Sequence, residues 1–137
     1  MRAFIDSSGL AKRYVRERGS EKVEEILSGA SEVAISLIAP PEIVSALCRL
    51  RRQNTISAAQ YGQAKKRLFG DLEDLTICNI TVPVIARAIE LLERNPLRTM
   101  DALHLACAID WPADLFVSSD KRQVSAALKS GLRVIQV

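Results

Sequence analysis

The chain has 137 residues and a mass of 15.1 kDa, which suits a single domain over residues 1–137 and is too little for two of ordinary size. Hydrophobic residues make up 48% and charged residues 26%, a mix that fills a core and excludes a wholly disordered chain, while no apolar run approaches the ~18–20 residues of a membrane span. The net charge of +3 permits a polyanionic partner without demonstrating one.

In chain order, Ala3-Phe4-Ile5 reads as a first strand, cut short by Asp6-Ser7-Ser8-Gly9. Leu10 to Arg18 reads as a short helix stopped by Gly19, and Ser20 as the cap of a second helix carrying Val23, Ile26 and Leu27. Val33 to Ile38 is a second strand, and Pro40-Pro41 suits the first turn of the helix that follows, with Ile43, Val44, Leu47 and Leu50 on its apolar face. Ser57-Ala58-Ala59-Gln60 fits a capping box opening a long helix toward Leu72. Leu75 to Ile80 is a third strand, and Thr81 with Pro83 starts a helix through Ile85, Ala88, Ile89 and Leu92. Thr99 caps the helix of Ala102, Leu103, Leu105 and Ala106. Leu115-Phe116-Val117 is a fourth strand, Val124 to Leu128 a last helix closed by Gly131, and Val134 to Val137 a last strand.

Strands alternating with helices imply an α/β fold with a largely parallel sheet covered on both faces. Ligands of such folds gather beyond the carboxyl ends of the strands. Asp6 and Asp120 stand just past strands, and Glu42 and Asp101 stand in the first turns of helices. All four are therefore expected on one edge of the sheet. Taken singly, each has an ordinary explanation as a cap, a turn residue or a partner of the helix dipole. Taken together, they would repel one another unless some bound protons or a cation stood among them. Mg²⁺ and Mn²⁺ favour such hard oxygen ligands. An ion held there polarises a phosphoryl oxygen and acidifies water, so an acid-only site fits metal-dependent phosphodiester hydrolysis, with one or two ions.

Four segments carry a resemblance. Ile5-Asp6-Ser7-Ser8-Gly9-Leu10-Ala11-Lys12-Arg13-Tyr14 resembles the opening of PIN-domain proteins, in particular the VapC-type ribonuclease toxins. Pro41 to Leu47 around Glu42, Leu97 to Ala106 around Asp101, and Leu115 to Arg122 around Asp120 are similar to the three later acidic motifs of that family. The resemblance runs in order from Phe4 to Val137. It implies a PIN-like three-layer α/β/α sandwich and an endoribonuclease using Mg²⁺ or Mn²⁺. It also implies a cognate VapB-like antitoxin and a homodimer. By motif match, Asp6, Glu42, Asp101 and Asp120 would be the catalytic, metal-binding acids. Ser8 and Ser118 would be hydroxyls that orient a carboxylate or a water. The consecutive Pro40-Pro41 is a departure that bears on the approach to Glu42.

Lys12, Arg13, Arg16, Lys121 and Arg122 follow the first and fourth acids and are candidate RNA contacts, each weighed against a plain solvated face. Lys65-Lys66-Arg67 reads as ordinary surface. His104, the one histidine, reads as a packed, hydrogen-bonded side chain rather than a general base. Cys48, Cys78 and Cys107 form no C-x-x-C pair and read as free thiols of a reducing compartment. With the acid at Asp6 interrupting any leader-like apolar stretch, a cytoplasmic location is expected. A receiver-like signalling module is a competing reading. It would need an acidic pair after the first strand, where Ser7 follows Asp6, and an acid after the third, where Thr81 stands. A DNA nuclease or an RNA-processing enzyme outside a toxin–antitoxin system would share the same site residues.

Overall fold

The computed structural model describes residues 1–137. Five strands form one sheet: β1 (Arg2–Ile5), β2 (Glu32–Ser36), β3 (Thr76–Cys78), β4 (Leu115–Ser118) and β5 (Arg133–Gln136). Their order is β3-β2-β1-β4-β5, with every pair parallel. Seven helices accompany them: α1 (Ser7–Leu10), α2 (Ser20–Gly29), α3 (Ala39–Arg52), α4 (Ala58–Asp71), α5 (Val82–Arg94), α6 (Thr99–Asp110) and α7 (Lys121–Lys129). A 3₁₀ turn, Ala11–Arg13, extends α1.

The sheet's period of two divides the core. Ala3, Ile5, Ile35, Leu115 and Val117 face a layer that includes Leu10 of α1, Val23 of α2, Leu47 of α3 and Leu68 of α4. Phe4, Ala34 and Phe116 face the other, with Val84 of α5, Leu105 of α6 and Ala126 of α7. Burial on both faces explains why the strands read as continuous apolar runs. The chain leaves central β1 in one direction toward β2 and later returns to its other side as β4. That reversal makes the carboxyl ends of β1 and β4 the switch point where a crevice opens.

Several helix ends follow the sequence reading. Ser57 and Gln60 make the full capping box of α4, Thr81 caps α5, and the prolines sit in the first turn of α3. The first helix differs. It begins at Ser7, not Leu10, because the Asp6 carboxylate accepts the Gly9 N–H and caps it. It ends with the 3₁₀ turn at Arg13 rather than at Arg18. There the chain is drawn back on itself, with Lys12 Nζ donating to the Arg18 carbonyl and Ser20 Oγ to the Lys12 carbonyl. Gly19 has the left-handed φ of +94° expected of a helix-ending glycine, yet it leads directly into α2. Arg98, rather than Thr99, holds the cap position of α6. The last helix starts three residues earlier than its apolar pattern suggests, at Lys121, because Asp120 caps it.

Candidate active site

Asp6 follows the last residue of β1 and is 1% exposed. Its Oδ1 accepts from Ser8 Oγ and Gly9 N, each at 2.8 Å, and its Oδ2 from Ser118 Oγ at 2.5 Å. Burial pushes the Asp6 carboxyl above its ordinary pKa, against the opposing pull of Ser118, the nearby His104 and the Gly9 and Ser8 donors. Ser118, at the end of β4, also accepts the Asp120 N–H at 3.0 Å and lies 3.3 Å from Ser8 Oγ. The two expected orienting hydroxyls, Ser8 and Ser118, thus both meet Asp6.

Glu42 enters from the first turn of α3. Its Oε1 accepts from Ser7 Oγ at 2.7 Å and meets His104 Nε2 at 2.5 Å. Burial alone would raise its pKa, but the hydrogen bonds from His104 and Ser7 hold it below the usual range. His104 is buried, and its Nδ1 has no partner. A proton there would be unsatisfied, which assigns the ring hydrogen to Nε2 and makes Glu42 its acceptor. The packed, hydrogen-bonded reading of His104 therefore holds, and its partner is one of the four acids.

Asp101, in the first turn of α6, is 8% exposed. Its Oδ1 accepts from Gln123 Nε2 at 3.1 Å, and its Oδ2 from Arg98 Nε at 3.2 Å. Asp120 accepts the Arg122 and Gln123 N–H groups on Oδ1 as the cap of α7. Its Oδ2 lies 3.7 Å from Arg98 Nη2. Asp6, Glu42, Asp101 and Asp120 all line one cleft of about 380 Å³. Sequence reasoning missed Ser7, Gln123 and Arg98 as parts of this wall, and Arg49, which lines the same cleft seven residues along α3 from Glu42.

The expected cations divide. Lys12 is nearly buried and pairs with Glu17 and the Arg18 carbonyl. Arg13 grips Asp71 with two nitrogens and Glu24 with a third. Neither lines the cleft, and both are already paired within the chain. Arg16 pairs with Glu21 on the open surface. Lys121 and Arg122 remain exposed at the start of α7, next to Asp120.

A family model described as PIN domain matches residues 3–129. The chain belongs to the PIN domain family. No curated protein matches it in sequence. Among solved structures, this PIN domain is similar to a toxin–antitoxin complex from Klebsiella pneumoniae, at 20% identity and a TM-score of 0.72, covering 98% of this chain and 96% of that one. It is also similar to VapC20 of Mycobacterium tuberculosis, described as a sarcin–ricin loop cleaving toxin, at 18% identity and a TM-score of 0.69, covering 90% and 94%. A third likeness is to FitAcB from Neisseria gonorrhoeae, at 14% identity and a TM-score of 0.71, covering 98% and 96%. At these identities the likeness is one of fold, and it agrees with the all-parallel sheet and three layers of this PIN domain.

The donor chemistry suits a hard divalent cation, since four carboxylates line one cleft and two of them are nearly buried. As placed, no three acidic, cysteine or histidine side chains stand close enough together to enclose an ion. The positive charge among the acids of this PIN domain comes from Arg98.

Proposed function

We propose that this chain is a metal-dependent endoribonuclease, the toxin of a type II toxin–antitoxin pair, which hydrolyses RNA phosphodiester bonds. The observation that carries this reading is the convergence of Asp6, Glu42, Asp101 and Asp120 on one cleft of a PIN domain, at the sheet's switch point. Asp6, Glu42, Asp101 and Asp120 would hold Mg²⁺ or Mn²⁺. When bound, such an ion supplies Lewis-acid polarisation of the phosphoryl oxygen and a water of lowered pKa.

The chain's own groups set the geometry. Ser8, Gly9 and Ser118 fix both oxygens of Asp6. Ser7 and His104 fix one oxygen of Glu42, and the other has no hydrogen-bond partner within the chain. Gln123 holds Asp101 from behind. Carboxylates restrained in this way lose little freedom on gripping an ion or orienting a water. A wall of acids repels RNA, so exposed Lys121 and Arg122 beside Asp120, with Arg49 along the cleft, supply the opposite charge that draws a phosphate chain toward it.

A VapB-like antitoxin is the proposed protein partner. Beyond the acids the cleft continues over Val15, Ala46, Leu47 and Leu50, a floor that suits the apolar face of a helix. A homodimer is supported by α5, which exposes Val82, Ile85, Ile89 and Leu92 as one stripe. No helix is long and apolar enough to cross a membrane, and the three free thiols fit the cytoplasm.

Purified protein incubated with total cellular RNA in Mg²⁺ or Mn²⁺, against EDTA, tests the reading. Discrete internal cleavage that stops in chelator and in Asp6→Asn and Asp101→Asn is expected. Cleavage that persists in chelator or in both variants refutes the metal mechanism. Cleavage of DNA alone points instead to the nuclease reading outside toxin–antitoxin systems.

A further inference from the structure

Arg98 is not one of the four acids' expected companions, yet it touches two of them. Its Nε lies 3.2 Å from Asp101 Oδ2 and its Nη2 3.7 Å from Asp120 Oδ2. The other oxygen of each acid is already engaged. Asp101 Oδ1 accepts from Gln123, and Asp120 Oδ1 accepts the two amides at the start of α7. One oxygen per acid is therefore left for the cleft, and in both cases Arg98 covers it. The side chain that does so is 75% exposed. It is anchored at the cap position of α6, where the helix backbone holds only its stem.

We propose that Arg98 is a displaceable counter-cation. It neutralises Asp101 and Asp120 while no metal is bound and must swing outward before a divalent ion can take the same two oxygens. This inference rests on the metal-dependent reading and deepens it by naming a residue that sets how tightly the ion is held. A guanidinium suits this role. Its planar array of donors reaches two carboxylates at once, and its charge cannot be lost by deprotonation. The contacts are also weak enough to give way, because the guanidinium end of each pair lies in solvent, where screening cuts what an ion pair contributes. Displacement is therefore a modest tax on metal affinity, on the order of three- to tenfold, rather than a block.

The test is Mn²⁺ binding by the full-length protein, followed by calorimetry and by loss of the spin-resonance signal of the free aqueous ion, with no RNA present. Arg98→Ala and Arg98→Gln are expected to bind Mn²⁺ roughly three- to tenfold more tightly than the wild type. Arg49→Ala removes a charge that lines the cleft but pairs with no acid, and it is expected to change affinity less than twofold. Melting curves give a second readout. Without metal, Arg98→Gln is expected to melt below the wild type because Asp101 and Asp120 repel each other, and saturating Mn²⁺ is expected to raise its melting temperature by more than it raises that of the wild type. Unchanged or weaker Mn²⁺ binding in both Arg98 variants overturns the displacement role. So does an equal gain in Arg49→Ala, which would reduce the effect to general charge. Failure of every form, wild type included, to bind Mn²⁺ overturns the metal-dependent reading itself and the displacement role with it.

Discussion

Ser118→Ala removes one hydroxyl and breaks three contacts of the candidate site, the longest being the 3.3 Å approach to Ser8 Oγ. Ser118 Oγ is the sole donor to Asp6 Oδ2, at 2.5 Å, and it accepts the Asp120 N–H at 3.0 Å. Ser118 is fully buried, so water does not replace the lost hydroxyl. A hydrogen bond to a charged group contributes ~1.5–3 kcal/mol, and the orphaned Asp120 amide adds to the loss. We expect destabilisation of about 2–3 kcal/mol, which for a domain of this size lowers the melting temperature by roughly 6–10 °C. Asp6 and Asp120 would both lose their fixed orientation, and removing such a supporting contact costs ~10–100-fold in metal affinity or activity. Calorimetric titration with Mn²⁺, RNA cleavage rates and thermal melts at one pH measure the three effects. Ser118→Thr keeps the hydroxyl and should recover most of each. A folded Ser118→Ala protein with wild-type Mn²⁺ affinity and cleavage rate would refute the claim that this hydroxyl orients the acids.

Asp6→Asn should abolish cleavage, and in metal-free neutral buffer relief of the buried charge should offset part of the lost hydrogen bonding to Asp6, so that it melts above Ser118→Ala; a melting temperature below that of Ser118→Ala would contradict this. Burial works against the Asp71 charge, but hydrogen bonds from Arg13 and Tyr14 hold its carboxyl below the usual range. A depressed carboxyl stabilises the fold above its unfolded pKa of about 4, and that contribution fades as pH falls through the folded value. Asp71→Asn should therefore melt below the wild type at pH 7, by ~1–2 kcal/mol after allowing for solvent screening. The gap should narrow in melts taken below about pH 4. Lys121→Ala with Arg122→Ala should weaken RNA binding and flatten its dependence on log salt by about 1.4, the release expected from two single-strand phosphate contacts; an unchanged slope would remove them from the interface. Gly19→Ala forces a side chain into a left-handed backbone and sets its Cβ 2.8 Å from the Val137 carbonyl carbon. A loss of roughly 2 kcal/mol or more is expected in denaturant melts.

The four acids were legible before any coordinates because their positions depend on element order alone. Once Ala3 to Ile5 and Leu115 to Val117 are parallel strands, Asp6 and Asp120 must share an edge, and Glu42 and Asp101 follow at the helix starts of that edge. Their companions were not legible. His104 meets Glu42 across 62 residues and Ser7 across 97, separations that no local period encodes. The i,i+3 spacing of Arg98 and Asp101 is a local signal, but the reach of Arg98 to Asp120 and of Gln123 to Asp101 shows only once α6 and α7 lie side by side. Arg13 misled for the opposite reason. A basic residue shortly after an acid suggests a phosphate contact, but Asp71 at the end of α4 claims it. The start of α1 lies earlier than the sequence reading puts it because the apolar pattern begins only at Leu10, whereas Asp6, one of the acids weighed as a possible cap, caps a helix that opens at Ser7.

The four carboxylates are seated by two different apolar layers. Asp6 and Glu42 stand on elements rooted in one apolar layer, with α1 and α3, whereas Asp101 and Asp120 lead helices α6 and α7 rooted in the other. The contacts of His104 with Glu42 and of Ser118 with Asp6 stitch the halves across the seam. Ion grip is thereby coupled to how the two layers seat against the sheet. A substitution deep in either half, such as Leu68→Ala or Leu105→Ala, touches none of the acids yet is expected to lower Mn²⁺ affinity by loosening the layer that seats two of them.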